Sequence, residues 1–548
     1  KTTVRVESFY HGNQYIVFEY KKYEDVRLVA CPPWGIGKYG ADTDNWTWPR
    51  HKGDFCMFRI YTAPDGSPAE YSPENVPMKA KKYLPISMKG VKEGDYAMIL
   101  GYPGSTDRYS SSQDVELNMN YYAPAIVDAR TVKLNTYRKY MDADPVVFIK
   151  YASKQASVSN YWKYYIGQKE QLKRNKVVEK KQATEKEFEK WVNANPERKK
   201  KYGNVLKNFE ESMEISKLYQ APSVYYREAG LSSCEAISFV RTFARVSMAI
   251  NNKADKETVR EMAQGLIPRV EAFFEDYDYE LDKAVAINML NLFYKQVPED
   301  LRPDMINKIG AKNDGDFTKF VEKAFEKSFV TTPEKVMKWI ENPKSIDKDP
   351  FFLLRSAIVD KYNEVIYPNL MAANEIKAPA SRLYMEALMA MNPDKVFYPD
   401  ANFTMRLTYG TVEDYEPRDA VVYDYKTNMD GVMDKYIPDN WEFDLPDDVI
   451  DLYNRKDYGR YADENGDLIV NFITTNDITG GNSGSPVIDG EGNLIGIAFD
   501  GNWEAMSGDI SFENKVQRTI CVDARFFLWT VDKVGKAQNL IDEMEIIW

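Results

Sequence analysis

The chain has 548 residues, of which 44% are hydrophobic and 28% charged, with a formal net charge of −12. That length exceeds one ordinary core, so two or more domains are expected, and the composition is that of a folded globular protein. The acidic balance argues against a nucleic-acid surface and leaves peptides, small molecules or cationic partners open, while no run approaches eighteen uninterrupted apolar residues, so no membrane span is expected.

Residues 1–10 alternate as a strand does, without a charged leader or an apolar signal core. They read as the interior of a fold, so an upstream segment, cut off or left out, is expected. Further strands are predicted over residues 14–20, 25–30, 55–61 and 96–101, punctuated by Gly and Pro. Beyond Tyr102-Pro-Gly-Ser-Thr-Asp107 the period becomes helical and stays so to about Pro399. Leu206, Phe209 and Met213 share one face there, as do Ile287, Leu290 and Tyr294. The lysine- and glutamate-rich run over residues 168–201 reads as a solvated helix face. Strands return from residue 403, and a helical tail is expected over residues 534–547. The economical organisation is a β segment at 1–107, a helical insertion at 108–398 and a second β segment at 399–548, with the active site where the two β halves meet.

Within the second β segment lies Thr479-Gly-Gly-Asn-Ser-Gly-Ser-Pro486, between apolar runs at residues 469–473 and 494–499, with Asp489-Gly-Glu-Gly-Asn493 as a connecting turn. Gly481 and Gly484 flank Ser483, which allows a tight turn that exposes the hydroxyl and aims successive N–H groups at a developing oxyanion. The loop joins strands, as in chymotrypsin-like barrels; it does not enter a helix, as a nucleophile elbow would. A hydrolase is therefore the leading reading.

A serine hydroxyl needs a base within reach and an acid to orient that base. The chain has two histidines, His11 and His51. His51 is very close in sequence to Asp54, the residue that follows Gly53, is expected to begin a strand and suits a buried orienting carboxylate. Capping of a turn is the equal alternative for Asp54. The four cysteines, Cys31, Cys56, Cys234 and Cys521, form no C-x-x-C pair, so buried free thiols are expected and zinc or thiol redox chemistry is not. No metal or cofactor is called for.

The motif from Gly40 to Phe55, containing Asp42-Thr-Asp-Asn-Trp-Thr-Trp-Pro-Arg-His-Lys-Gly-Asp54, resembles the bacterial dipeptidyl-peptidases 7 and 11, as do Gly101-Tyr-Pro-Gly104 and Gly480-Gly-Asn-Ser-Gly-Ser-Pro486. The resemblance runs over most of the chain. It implies a chymotrypsin-like double β-barrel with a large inserted α-helical domain over the cleft, in a periplasmic or outer-membrane-associated homodimer that releases dipeptides from free N-termini. It also implies Ser483 as nucleophile, Asp54 as triad acid and the N–H groups of Gly481 and Ser483 as oxyanion hole. Asn45, Trp46, Asn160 and Asp500 would hold the substrate's free α-amine, a role that suits a carboxylate and neutral acceptors in a closed pocket. Gly501 stands where acidic-specific members carry an arginine, which implies a hydrophobic residue before the scissile bond. The family's catalytic histidine lies upstream of Lys1. A non-catalytic peptide-binding protein, an acidic-specific peptidase and a chymotrypsin-like endopeptidase remain as alternatives.

Overall fold

The computed structural model describes residues 2–548, a chain of mixed α and β structure that divides into two compact units. The strand-rich unit takes the residues up to Ser110, then Glu170–Val177 and Ser381–Trp548; the helical unit takes Ser111–Lys169 and Val178–Ala380.

The main sheet of the strand-rich unit runs Lys426–Asn428, Ile469–Thr474, Thr519–Asp523, Leu494–Gly501, Ser485–Ile488, Tyr96–Gly101, Arg406–Thr411. A bridge between Val412 and Thr474, with Thr475 N–H donating to the Thr411 carbonyl at 2.9 Å, joins the last strand back to the second, so six strands close into a ring. Adjacent strands in the ring are antiparallel, and Ile469–Thr474 is buried at every position because Phe472 packs in one apolar cluster and Val470 and Ile473 in a second. Val487, Ile99, Ala498, Phe472 and Cys521 pack in one apolar cluster of this unit. A larger cluster around Trp529, Phe526, Tyr461 and Ile520 packs beside it.

Among the described residues one ring of strands closes; a second ring of the expected double barrel does not close among them. The first strands instead form a hairpin, Thr2–Phe9 with Gln14–Lys21, and a separate three-stranded sheet of Val26–Ala30, Met57–Thr62 and Val76–Pro77. The expected tail helix is also not continuous. It breaks near Gly535 into a short helix at Gln538–Asp542 and a strand at Ile546–Ile547 that pairs in parallel with Ile86–Ser87. Two of the four thiols, Cys234 and Cys521, are buried, whereas Cys31 and Cys56 are exposed rather than buried as expected; all four are free.

In the helical unit, Val205–Tyr225 and Tyr279–Gln296 form on the apolar spacings noted above, with Phe209 and Leu290 buried. Its core is dominated by aromatic rings, including Phe239 stacked on Phe273 at a centroid distance of 3.7 Å and Phe243 edge-on to Trp339. Among the described residues no helix is long and apolar enough to cross a membrane.

Candidate active site

Ser483 sits in the turn that leads into the strand Ser485–Ile488, with Gly481 at φ +106° and Gly484 at φ +87°. Both values lie in the left-handed region that favours glycine, so the two glycines are what let the chain make this turn. Asn482 is buried and stitches the loop to itself: its N–H donates to the Thr479 carbonyl, and its Oδ1 accepts from Thr479 N–H. Gly484 N–H donates to the Ala498 carbonyl at 2.8 Å, while Gly481 and Ser483 are exposed. Asn482 alone of these four residues is buried; Gly481, Ser483 and Gly484 face out.

The loop leans on the Gly101–Gly104 segment from the other end of the chain. Gly104 N–H donates to the Gly480 carbonyl at 2.7 Å, and a β-carbon on Gly101 would collide with Ser485 and Asn482. A β-carbon on Gly481 would likewise collide with the Tyr102 carbonyl. The Ser483 loop therefore forms at the seam between strands from the first and last parts of the sequence.

The Ser483 hydroxyl donates to the Phe499 carbonyl at 3.0 Å. Phe499 gathers the neighbouring groups: the Lys52 ammonium lies 5.4 Å and the Arg50 guanidinium 5.5 Å from its ring centroid. One residue further along the same strand is Asp500, whose side chain is 13% exposed. Its Oδ2 accepts from Arg50 Nη2 at 2.7 Å and from Trp46 N–H at 3.4 Å; its Oδ1 accepts from Gly501 N–H at 2.9 Å. Trp46 reaches it with a left-handed φ of +64°, in the half-buried loop that also carries Asn45. The structure thus brings Ser483, Trp46, Asp500 and Gly501 onto or beside one strand. Asn160 lies half-buried on the helix Pro145–Arg174, within the helical unit.

Asp54 differs from the sequence expectation. It is not buried: its side chain is 49% exposed and ion-paired to Lys52 Nζ at 2.8 Å, and it precedes the strand Met57–Thr62 instead of beginning it. The cause is Asn471, fully buried, whose side chain accepts from Lys52 N–H and donates to the Lys52 carbonyl, at 2.8 and 2.9 Å. That clamp fixes the backbone of the Lys52-Gly-Asp54 segment before the strand starts. Asn471 was invisible to local pattern because it lies 419 positions away from Lys52.

Neither histidine is placed as a base for Ser483. His11, at the tip of the first hairpin, pairs with Asp400 at 3.5 Å. His51 is buried against Gly431 at one wall of a cavity of about 420 Å³ shared with Trp48, Asp424 and Lys435. Burial first, then the Lys435 and Arg50 cations, push its pKa down to about 3, so it is neutral near pH 7.

Gly501 is buried, and a β-carbon there would lie 3.1 Å from the Ala505 β-carbon and 3.9 Å from Trp46 Cζ3. Asn502, fully buried, holds the adjacent turn Trp503–Ser507 by accepting from Ala505 N–H and Arg518 N–H and donating to the Val516 carbonyl. The Arg518 guanidinium is directed to the carbonyls of Glu413, Asp414, Asn514 and Gln517. The guanidinium groups of Arg50 and Arg518 are both engaged.

A family model described as Peptidase S46 matches residues 1–546. The chain is 40% identical over 557 residues to the dipeptidyl-peptidase 7 of Capnocytophaga gingivalis, covering 100% of this chain and 76% of that protein. It is 37% identical over 548 residues to the Asp/Glu-specific dipeptidyl-peptidase of Flavobacterium psychrophilum, covering 99% and 76%. The crystal structure of Porphyromonas endodontalis DPP11 in complex with the dipeptide Arg-Glu superposes with a TM-score of 0.90 at 34% identity, covering 100% of this chain and 78% of that one.

Proposed function

The chain belongs to the peptidase S46 family and is a dipeptidyl-peptidase; we propose that it grips peptides by their free N-terminus, cuts after a hydrophobic second residue, and does so through an acyl-enzyme on Ser483. The observation that carries this reading is Asp500, a mostly buried carboxylate on the strand that receives the Ser483 hydroxyl one residue earlier. A carboxylate at that distance from the nucleophile suits an ammonium two residues from the scissile carbonyl. Trp46 and Asn45 complete the amine's surroundings in this reading, and Asn160 has a part in holding the amine only as the family resemblance implies.

The Ser483 oxygen attacks the second carbonyl of the substrate, its proton passes through a base to the leaving amine as the C–N bond breaks, and water then cleaves the ester to release the dipeptide. The Gly481 and Ser483 N–H groups stabilise the oxyanion, and Asp54 orients the base once Lys52 yields it. The base is the histidine that the family resemblance implies; of the two histidines described, His11 pairs with Asp400 and His51 is buried. Full turnover that is abolished by His11→Ala would overturn that assignment. A chymotrypsin-like double barrel, a homodimer and a periplasmic or outer-membrane-associated location belong to the same reading.

The preference for a hydrophobic residue rests on Gly501, which itself offers no cation to an Asp or Glu side chain, and on the engagement of Arg50 with Asp500 and of Arg518 with backbone carbonyls. The test is cleavage of a fluorogenic dipeptide ending in leucine against one ending in aspartate, each with a free amine and each also N-acetylated. Free leucine peptide cleaved fastest, with acetylated peptides inert, is the expected result. Equal cleavage of acetylated peptides would mean an endopeptidase, and aspartate preference would mean the acidic-specific class.

A further inference from the structure

Arg50 lies inside the longest motif of the chain, yet the sequence reading gives it no task. The structure surrounds it with specific partners. Its side chain is 2% exposed, its Nη2 donates to Asp500 Oδ2 at 2.7 Å, and its Nε donates to the Thr47 carbonyl at 3.3 Å. Its own carbonyl accepts from the Thr427 hydroxyl at 2.7 Å, which anchors its backbone to the strand Lys426–Asn428. The guanidinium also faces the Phe499 ring, whose backbone carbonyl receives the Ser483 hydroxyl.

We propose that Arg50 is the positioning residue of the amine site: it fixes the Asp500 carboxylate in the orientation that accepts a substrate's α-ammonium and ties the Asn45–Trp46 loop to that carboxylate. The inference rests on the proposed role of Asp500 in binding the amine. Asp500 carries one negative charge in a nearly closed place, and a buried charge needs a partner and several hydrogen bonds to be held in one geometry. Arg50 and Trp46 N–H take Oδ2 and Gly501 N–H takes Oδ1, so both oxygens are oriented while one Oδ1 lone pair remains for an ammonium. A planar guanidinium does this better than an ammonium because its donors are fixed in a plane, one for Asp500 and one for the Thr47 carbonyl of the loop. The same link explains how a loop at residues 45–50 and a strand at residue 500 keep one register.

The experiment is calorimetric titration of a free dipeptide ending in leucine into the full-length protein, its Arg50→Met, Arg50→Lys and Asp500→Asn variants, alongside the rate at which a small fluorophosphonate labels Ser483. Arg50→Met should raise Kd by about tenfold or more while labelling stays within about twofold, and Arg50→Lys should recover part of the affinity. A merely structural arginine would depress binding and labelling together and would not be rescued in binding alone. Should Arg50→Met not fold, Arg50→Gln, which keeps a planar donor, serves in its place with the same expectation of weakened binding. If Asp500→Asn loses the dipeptide but the Arg50 variants bind it as well as or better than the parent, the positioning role is overturned and the amine site stands. If Asp500→Asn binds normally, the amine site itself falls, and this inference with it.

Discussion

Asp500 and Asp54 are both carboxylates paired to a basic side chain, at 2.7 and 2.8 Å, yet their surroundings differ sharply: the Asp500 side chain is 13% exposed and that of Asp54 is 49% exposed. The first pair sits among backbone N–H donors and under an aromatic ring; the second is open to solvent. An exposed pair contributes about 0–1 kcal/mol and exchanges partners readily, whereas removing one member of a buried pair costs about 3–5 kcal/mol. In the proposed reading the region around Asp500 is a preformed binding site. The region around Asp54 and Ser483 is, in the same reading, a catalytic surface whose acid leaves Lys52 for a base and whose hydroxyl rests on the Phe499 carbonyl.

If recognition and chemistry are built separately in this way, substitutions should separate them. The largest effect is expected from Ser483→Ala, which should lower kcat by at least about 10⁴-fold while leaving dipeptide affinity within about twofold; single-turnover assays and calorimetry check the two halves. Asp54→Asn should follow, with kcat reduced about 10²–10⁴-fold and KM little changed, measured by steady-state kinetics. Asp500→Asn should show the opposite split, raising KM about 100-fold, since it leaves Arg50 buried without its anion and the substrate ammonium without a carboxylate. A mutant that moved kcat and KM together at all three positions would erase the distinction.

Smaller effects sharpen the picture. Gly501→Arg should shift the ratio of leucine to aspartate cleavage toward aspartate by about tenfold, with lower total activity because the 3.1 Å contact to Ala505 has to relax first. His51 supplies a pH test outside the site. Its folded pKa of about 3 lies below the ordinary value of 6.5, so the unfolded chain binds the proton that the folded chain refuses. The stability it contributes is complete above about pH 6.5 and is lost as pH falls toward 3, by a few kcal/mol at most. His51→Asn should move the acid-unfolding midpoint to lower pH, as followed by circular dichroism.

What local pattern could reveal is visible at Ser483, where two glycines announce a left-handed turn, and at Leu290 or Phe209, where the helical period marks the buried face. What it could not reveal depends on distant partners. Arg50 meets Asp500 across 450 positions, Asn471 clamps Lys52 across 419, and Ile546 finds its strand partner at Ile86. A Gly-Asp-Phe triplet looks the same whether its acid is buried or open, because the residue that decides, Asn471, lies in another strand. Closure of the ring through Val412 and Thr474 is a long-range fact of the same kind.

The most direct test is a crystal structure of the protein with a bound dipeptide ending in leucine. The account predicts the dipeptide's ammonium within hydrogen-bond distance of the Asp500 carboxylate, the Arg50 pair intact behind it, and the leucine side chain toward Gly501. An ammonium placed away from Asp500, or an Asp500 turned off Arg50 to meet it, would contradict the account.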